Sequence, residues 1–293
     1  MSPLAAHVIA AWNTHLIQQT ASQLQQQTGL IAVAFDQRNH GSRLIDKLSN
    51  EAWNNGNPRH AQDMFATYHG TAVDTSHLIT YLPAYVFPKD EHTITSHMVL
   101  GVSLGGHAAW QCLLHDHRIN TAIVVIGCPD YARIMSQRAE KSKLPDWTSS
   151  DPSGSKFMGS ESFPKALIEA VDKWDPAGLL MDEMSGNDPS REPSEAEKTK
   201  LMPLMRDHLQ DKRILNLAGG ADKLVPYSCS APFLTWLKKA IEPNGWFAGK
   251  GVVLEDKVFE GVKHEMSPAM MDEAIRFIIE TLSRDSSIKQ SKI

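Results

Sequence analysis

The feature that most constrains this chain is the hexapeptide Gly101-Val102-Ser103-Leu104-Gly105-Gly106, set between the apolar run HMVL and the segment HAAWQCLL. The run before it has the look of a short strand, and the segment after it has helical spacing. A G-x-S-x-G turn between a strand and a helix forces the serine into a strained backbone conformation and lifts its hydroxyl clear of the sheet. The flanking glycines leave room where a Cβ would meet the close-packed strand and helix. The first turn of the helix adds the partial positive charge of unpaired N–H groups. A serine that merely caps a helix is the plainer alternative, and the strand–turn–helix setting favours the projected hydroxyl. The hexapeptide is not a dinucleotide fingerprint, because Ser103 holds its middle position and no acidic residue ends a following strand at the right distance.

Strand and helix patterns alternate around this turn. The N-terminal segment reads as an amphipathic helix, followed at residues 30–36 (LIAVAFD) by a short apolar run that predicts a buried parallel strand. Apolar residues at helical spacing over 61–86 predict a long helix ending before Pro88. Residues 97–102 predict a strand, 108–115 a helix, and the β-branched run 121–127 another strand. Alternation resumes with strand 213–218, helix 231–240, strand 251–259 and helix 267–283. This order implies an α/β fold, a mostly parallel sheet with helices on both faces. Between these blocks, residues 129–211 gather Ser, Pro, Asp and Lys, with helical pieces around 164–174 and 195–210. So long a stretch without structure is improbable in a compact domain, so it reads as a helical cap insertion over one edge of the sheet. The organisation expected is a core of 1–128 and 212–284, an insertion at 129–211 and a tail at 285–293.

A serine hydroxyl needs a base to become a nucleophile, and the base needs an acid to orient it. Asp222 follows the strand ILNLA and a Gly-Gly turn, and His264 follows shortly after the strand GVVLEDKVF. The chain order is therefore Ser103, Asp222, His264, each at the carboxyl end of a predicted parallel strand, where open sheets bind ligands. Asp130, after the preceding strand, is the rival acid. Other candidates read more plainly. His115, Asp116 and His117 are adjacent on a helix end, point different ways and lack a third ligand, so no metal site is assigned. His107, four residues past Ser103, reads as a helix residue packing under the turn. Cys112 and Cys128 fall on apolar patterns and read as buried inert thiols.

The segments AFDQRNHGSR, GVSLGGHAA, LAGGADKLVPY and GVKHEM resemble the α/β-hydrolase superfamily, in its serine esterase and prolyl-oligopeptidase-like branches. The resemblance spans roughly residues 1–284 outside the insertion. It implies Ser103 as nucleophile, His264 as general base then acid, Asp222 as orienting acid and the Leu104 N–H as one oxyanion donor. The family supplies a second donor from an HG loop after its third strand. Neither His40-Gly41 nor His69-Gly70 fits that place, and the Asp36–Gly41 stretch resembles the loop after the fourth strand instead. The first three strands of a full family member are accordingly expected to be absent, so that 30–36 either pairs with 97–102 or leaves open strand edges. The function implied is hydrolysis of a small acyl substrate, an ester first and an amide or thioester second. A hydrolase-fold protein that binds without turnover is the alternative.

Composition narrows the partners. The 293 residues are 42% hydrophobic and 22% charged, as in globular rather than disordered chains. A net charge of −5 argues against a phosphate-backbone surface, and no nucleic-acid partner is expected. No run reaches the roughly 18 apolar residues of a membrane span. The three cysteines (Cys112, Cys128, Cys229) have no CxxC spacing, which together with the N-terminus predicts a cytoplasmic protein with free thiols. No cofactor is expected.

Overall fold

The β-branched runs pair side by side as their spacing requires. Strands β1 (His97–Val102), β2 (Ile119–Val125), β3 (Arg213–Gly219) and β4 (Val253–Phe259) form one parallel sheet in the order β1-β2-β3-β4. The computed structural model describes residues 3–18, 29–181 and 191–290. The register sets Val102 beside Val125, Val125 beside Leu217, and Gly219 beside Phe259. The loops that follow the four strands therefore leave from one edge. The inner strands β2 and β3 are almost wholly buried, whereas the outer β1 and β4 are mostly half-buried. That contrast explains why β2 ends in the aliphatic run Ala122–Val125 while β4 carries Glu255, Asp256 and Lys257.

The chain divides into two compact units, Met1–Asp36 with Met266–Ile293, and Gln37–Glu265. In the first unit, α1 (Pro3–Gln18) packs on α10 (Pro268–Gln290). Trp12 is buried and stacks on His15 at 5.3 Å. His15 Nε2 lies 3.1 Å from Ser283 Oγ, which donates its own proton to the Ile279 carbonyl. The strand expected at 30–36 does not form, and the run carries no ladder among the described residues. Ile31, Val33 and Phe35 are exposed instead. Apolar alternation gives a strand only where a partner supplies hydrogen bonds and a covered face, and this run has no strand partner among the described residues. The expected N-terminal helix is present over α1, while residues 19–27 of that expectation fall outside the described ones.

In the second unit, α2 (His60–Val86), α3 (Leu104–His115) and α9 (Tyr227–Ile241) cover the sheet. Trp110, Leu113, Phe233, Trp236 and Leu237 pack there against β2 and β3. Fully burying a side chain of this size stabilises by roughly 1.5–3 kcal/mol. The stretch 129–211 is more helical than its composition indicates: α4 (Tyr131–Lys141), α5 (Pro145–Thr148), α6 (Lys165–Trp174), α7 (Pro176–Met181) and α8 (Glu195–Leu209) lie within it. Leu180, Leu201, Met205 and Leu209 join the main core. Phe157, Phe163, Leu167 and Val171 pack a second core with Phe65 and Tyr68 of α2 and Tyr131 and Ile134 of α4. Part of the SGNDPSREPSEAEK segment, residues 185–190, lies outside the described residues. Among the described residues no helix is long and apolar enough to cross a membrane.

Candidate active site

The turn after β1 is as strained as its sequence demands. Ser103 has φ 56° and ψ −116°, a conformation costly for any residue with a Cβ. Three backbone hydrogen bonds hold it there: its N–H donates to the Val125 carbonyl at 2.9 Å, and its own carbonyl accepts from the N–H groups of Gly106 and His107. A Cβ on Gly101 would sit 1.9 Å from the Gly105 carbonyl oxygen, so only glycine lets the strand pass beneath the helix. The tightness of the turn is thus written into the glycines, and the half-buried serine hydroxyl is its product.

Asp222 and His264 are brought together by the loops after β3 and β4. Gly220 N–H donates to the Phe259 carbonyl at 2.8 Å and Ala221 N–H to the Val262 carbonyl at 2.9 Å. A Cβ on Gly219 would lie 2.6 Å from both the Val262 and Lys263 carbonyl oxygens, so this nesting requires glycine. Asp222 is buried, and its Oδ1 accepts the N–H groups of Leu224 at 2.8 Å and Val225 at 2.9 Å. Its Oδ2 lies 2.8 Å from His264 Nδ1. The far side of the same imidazole, Nε2, lies 2.7 Å from Ser103 Oγ. A proton on Nδ1, donated to the carboxylate, leaves the Nε2 lone pair to accept from the serine hydroxyl. The hydroxyl, imidazole and carboxylate, 161 and 42 residues apart along the chain, form one hydrogen-bonded line at the carboxyl edge of the sheet. These three side chains meet at the carboxyl edge of a parallel α/β core.

No protein-family model matches the chain, and no curated protein is detectably similar to it. Similarity to solved structures is distant. SOBER1 of Arabidopsis thaliana shares 15% identity and a TM-score of 0.38, over 74% of this chain and 65% of that one. An acylaminoacyl peptidase of Pyrococcus horikoshii shares 13% identity at a TM-score of 0.40, over 71% of this chain and 27% of the peptidase. ATU1826 of Agrobacterium tumefaciens, described as a putative alpha/beta hydrolase, shares 14% at 0.34, over 73% and 59%. The chain thus spans about two thirds of the plant protein's length and about a quarter of the peptidase's.

The remaining candidates lie elsewhere. Asp130 caps α4, its Oδ1 accepting Arg133 N–H at 2.9 Å and its Oδ2 the Arg133 Nε–H at 3.0 Å. His107 is buried under the turn, with Nδ1 3.0 Å from the Ser103 carbonyl, and burial pushes it down to about 4. His115 Nε2 meets the Trp174 carbonyl, and Asp116 pairs with Arg118 at 2.6 Å, so both serve packing. Burial pushes the Cys112 thiol up to about 12 and the Cys128 thiol well above its ordinary value. Cys229 is buried as well, its thiol raised by burial. The Leu104 N–H, first of α3, donates to no backbone carbonyl among the described residues, as a helix start requires.

The sequence reading missed Arg138. It lies on α4, and its Nη2 donates to the Leu224 carbonyl at 3.2 Å, inside the turn that holds Asp222. Its Nη1 lies 3.0 Å from His60 Nε2, while His60 Nδ1 meets the Glu51 carbonyl at 2.9 Å. Burial first, and the neighbouring guanidinium second, hold His60 down to about 4, so the neutral ring accepts from Arg138. The available signal was the helical spacing of Tyr131, Ile134, Met135 and Arg138, obscured by the polar residues around it.

Proposed function

We propose that the protein is a serine hydrolase that cleaves a carboxylic ester of modest size through an acyl-enzyme. The single observation carrying this reading is the 2.7 Å approach of Ser103 Oγ to His264 Nε2 at a strained strand-to-helix turn. In the first half-reaction the Oγ–C bond forms as the hydroxyl proton passes to Nε2, and the carbonyl π pair moves onto oxygen. The Leu104 N–H receives that developing charge. Collapse of the tetrahedral species expels the alcohol, which takes the proton back from Nε2. Water then repeats the steps and releases the acid. Asp222, held by two backbone N–H groups, keeps the imidazole in the tautomer this needs and stabilises the imidazolium. An ester comes before an amide because its leaving group needs less protonation. A cytoplasmic site of action belongs to the same proposal and rests on the cysteine spacing.

A fluorophosphonate probe tests the reading. The wild-type protein is expected to be labelled and to hydrolyse a p-nitrophenyl ester, and Ser103→Ala is expected to do neither. Wild-type protein that is folded by circular dichroism yet stays unlabelled overturns it.

A further inference from the structure

A tetrahedral oxyanion is stabilised best by two or more convergent donors, and one backbone N–H leaves much of its charge unanswered. The turn after β1 offers the N–H of Leu104 at the helix start. A further amide reaches it from outside the helix. The Nε2 of Gln37 lies 3.4 Å from where a Cβ on Gly105 would stand, so the carboxamide lies against the first turn of α3. Its Oε1 is buried and meets no donor. A buried polar atom without a partner is uncommon in a folded protein, and at a reaction centre it marks a group kept for something other than stability.

The backbone that carries Gln37 is firmly placed. Arg38 N–H donates to Thr71 Oγ1 at 3.3 Å, and its guanidinium grips both carboxylate oxygens of Asp74, Nη2 to Oδ1 at 2.7 Å and Nε to Oδ2 at 3.1 Å. The stem of Arg38 fills the space left by Gly70 of α2, where a Cβ would meet its Cδ at 2.5 Å. The carbonyl of Gln37 closes a turn by accepting from His40 N–H at 3.1 Å. Side-chain amides stabilise oxyanions best when held in advance, and these contacts fix the backbone from which this one projects.

We propose that Gln37 is a catalytic residue of this site, its Nε2–H donating to the oxyanion beside the Leu104 N–H. The proposal rests on the serine-hydrolase reading above. It assigns one donor to a side chain in the loop at 37–41.

The test compares wild type, Gln37→Met, Gln37→Glu and Ser103→Ala on a p-nitrophenyl ester, with inhibition by an aryl trifluoromethyl ketone as second readout. That ketone traps serine as a hemiketal whose oxygen occupies the oxyanion position. Methionine matches the length of glutamine without a donor, so Gln37→Met is expected to lower kcat about 10²-fold with KM nearly unchanged. The inhibition constant for the ketone is expected to rise by a similar factor. Gln37→Glu, which sets negative charge against the oxyanion, is expected to fall further, and thermal melts of both variants check the fold. If one Gln37 variant misfolds, the other decides. Wild-type kcat and ketone affinity in a folded Gln37 variant, beside an inert Ser103→Ala, overturn the role of Gln37 and leave the hydrolase reading standing. A folded wild type that neither turns over nor binds the ketone overturns both.

Discussion

At the scale of single residues, the site is built from conformations and contacts that only certain side chains tolerate. Ser103 lies at a backbone position suited to glycine, and its strain is held by the Val125 carbonyl and the first turn of α3. Removing that strain has a measurable consequence. Ser103→Gly is expected to be more stable than Ser103→Ala by about 1 kcal/mol, since alanine keeps the Cβ and glycine does not. Urea denaturation of the two variants checks this, and equal midpoints refute the claim of strain. Ser103, Asp222 and His264 were legible as candidates because each lies in a short glycine-marked turn after a strand pattern. Gln37 and Arg138 were not legible. Their importance comes from what lies across from them in space, and neither Gln nor Arg marks a local conformation.

At the scale of elements, propensity and periodicity located most of the helices and four of the five expected strands. The residues of β1 were placed at their observed bounds, and β2, β3 and β4 within about two residues. The helix α4 was missed because its exposed face is rich in charge and it begins within a polar stretch. The helix α8 was found, and its start is well capped. Ser194 Oγ accepts from Glu197 N–H at 3.3 Å, and Glu197 Oε2 accepts from Ser194 N–H at 2.7 Å. Arg191 also grips Glu197, with Nη2 2.7 Å from Oε1. Ser194→Ala is expected to cost about 1 kcal/mol of stability, read as a lower urea midpoint with unchanged slope. No shift in midpoint would show that the cap contributes nothing. The run 30–36 makes the opposite point: a strand pattern is a pattern of faces, and the element exists only if another strand completes it.

At the scale of the whole molecule, burial sets how the folded state responds to pH. His60, His107 and His115 are each pushed down to about 4, in every case chiefly by burial. The unfolded chain binds a proton at each of them below about pH 6.5, whereas the folded chain does not until about pH 4. Their contribution is therefore complete above pH 6.5 and is lost as the pH falls toward 4, at up to about 1.4 kcal/mol per pH unit for each histidine. Denaturation at pH 7, 5.5 and 4.5 is expected to give steadily lower stability, and His115→Phe is expected to lessen the slope. Stability that is level across that window contradicts the burial of these rings as neutral groups.

What the sequence determined by itself was local and periodic. It set the alternation of strands with amphipathic helices, the glycines that permit sharp turns, and the order of the three candidate side chains along the chain. These are properties of neighbouring residues, governed by sterics and by the two- and 3.6-residue periods of the backbone. Tertiary structure alone decided which strand pattern found a partner. It also decided that Asp222 rather than Asp130 meets the imidazole, and that the loop at Gln37 reaches the turn at Gly105. Those outcomes depend on distances between residues far apart in the chain, which parallel register and packing settle together and no local segment encodes.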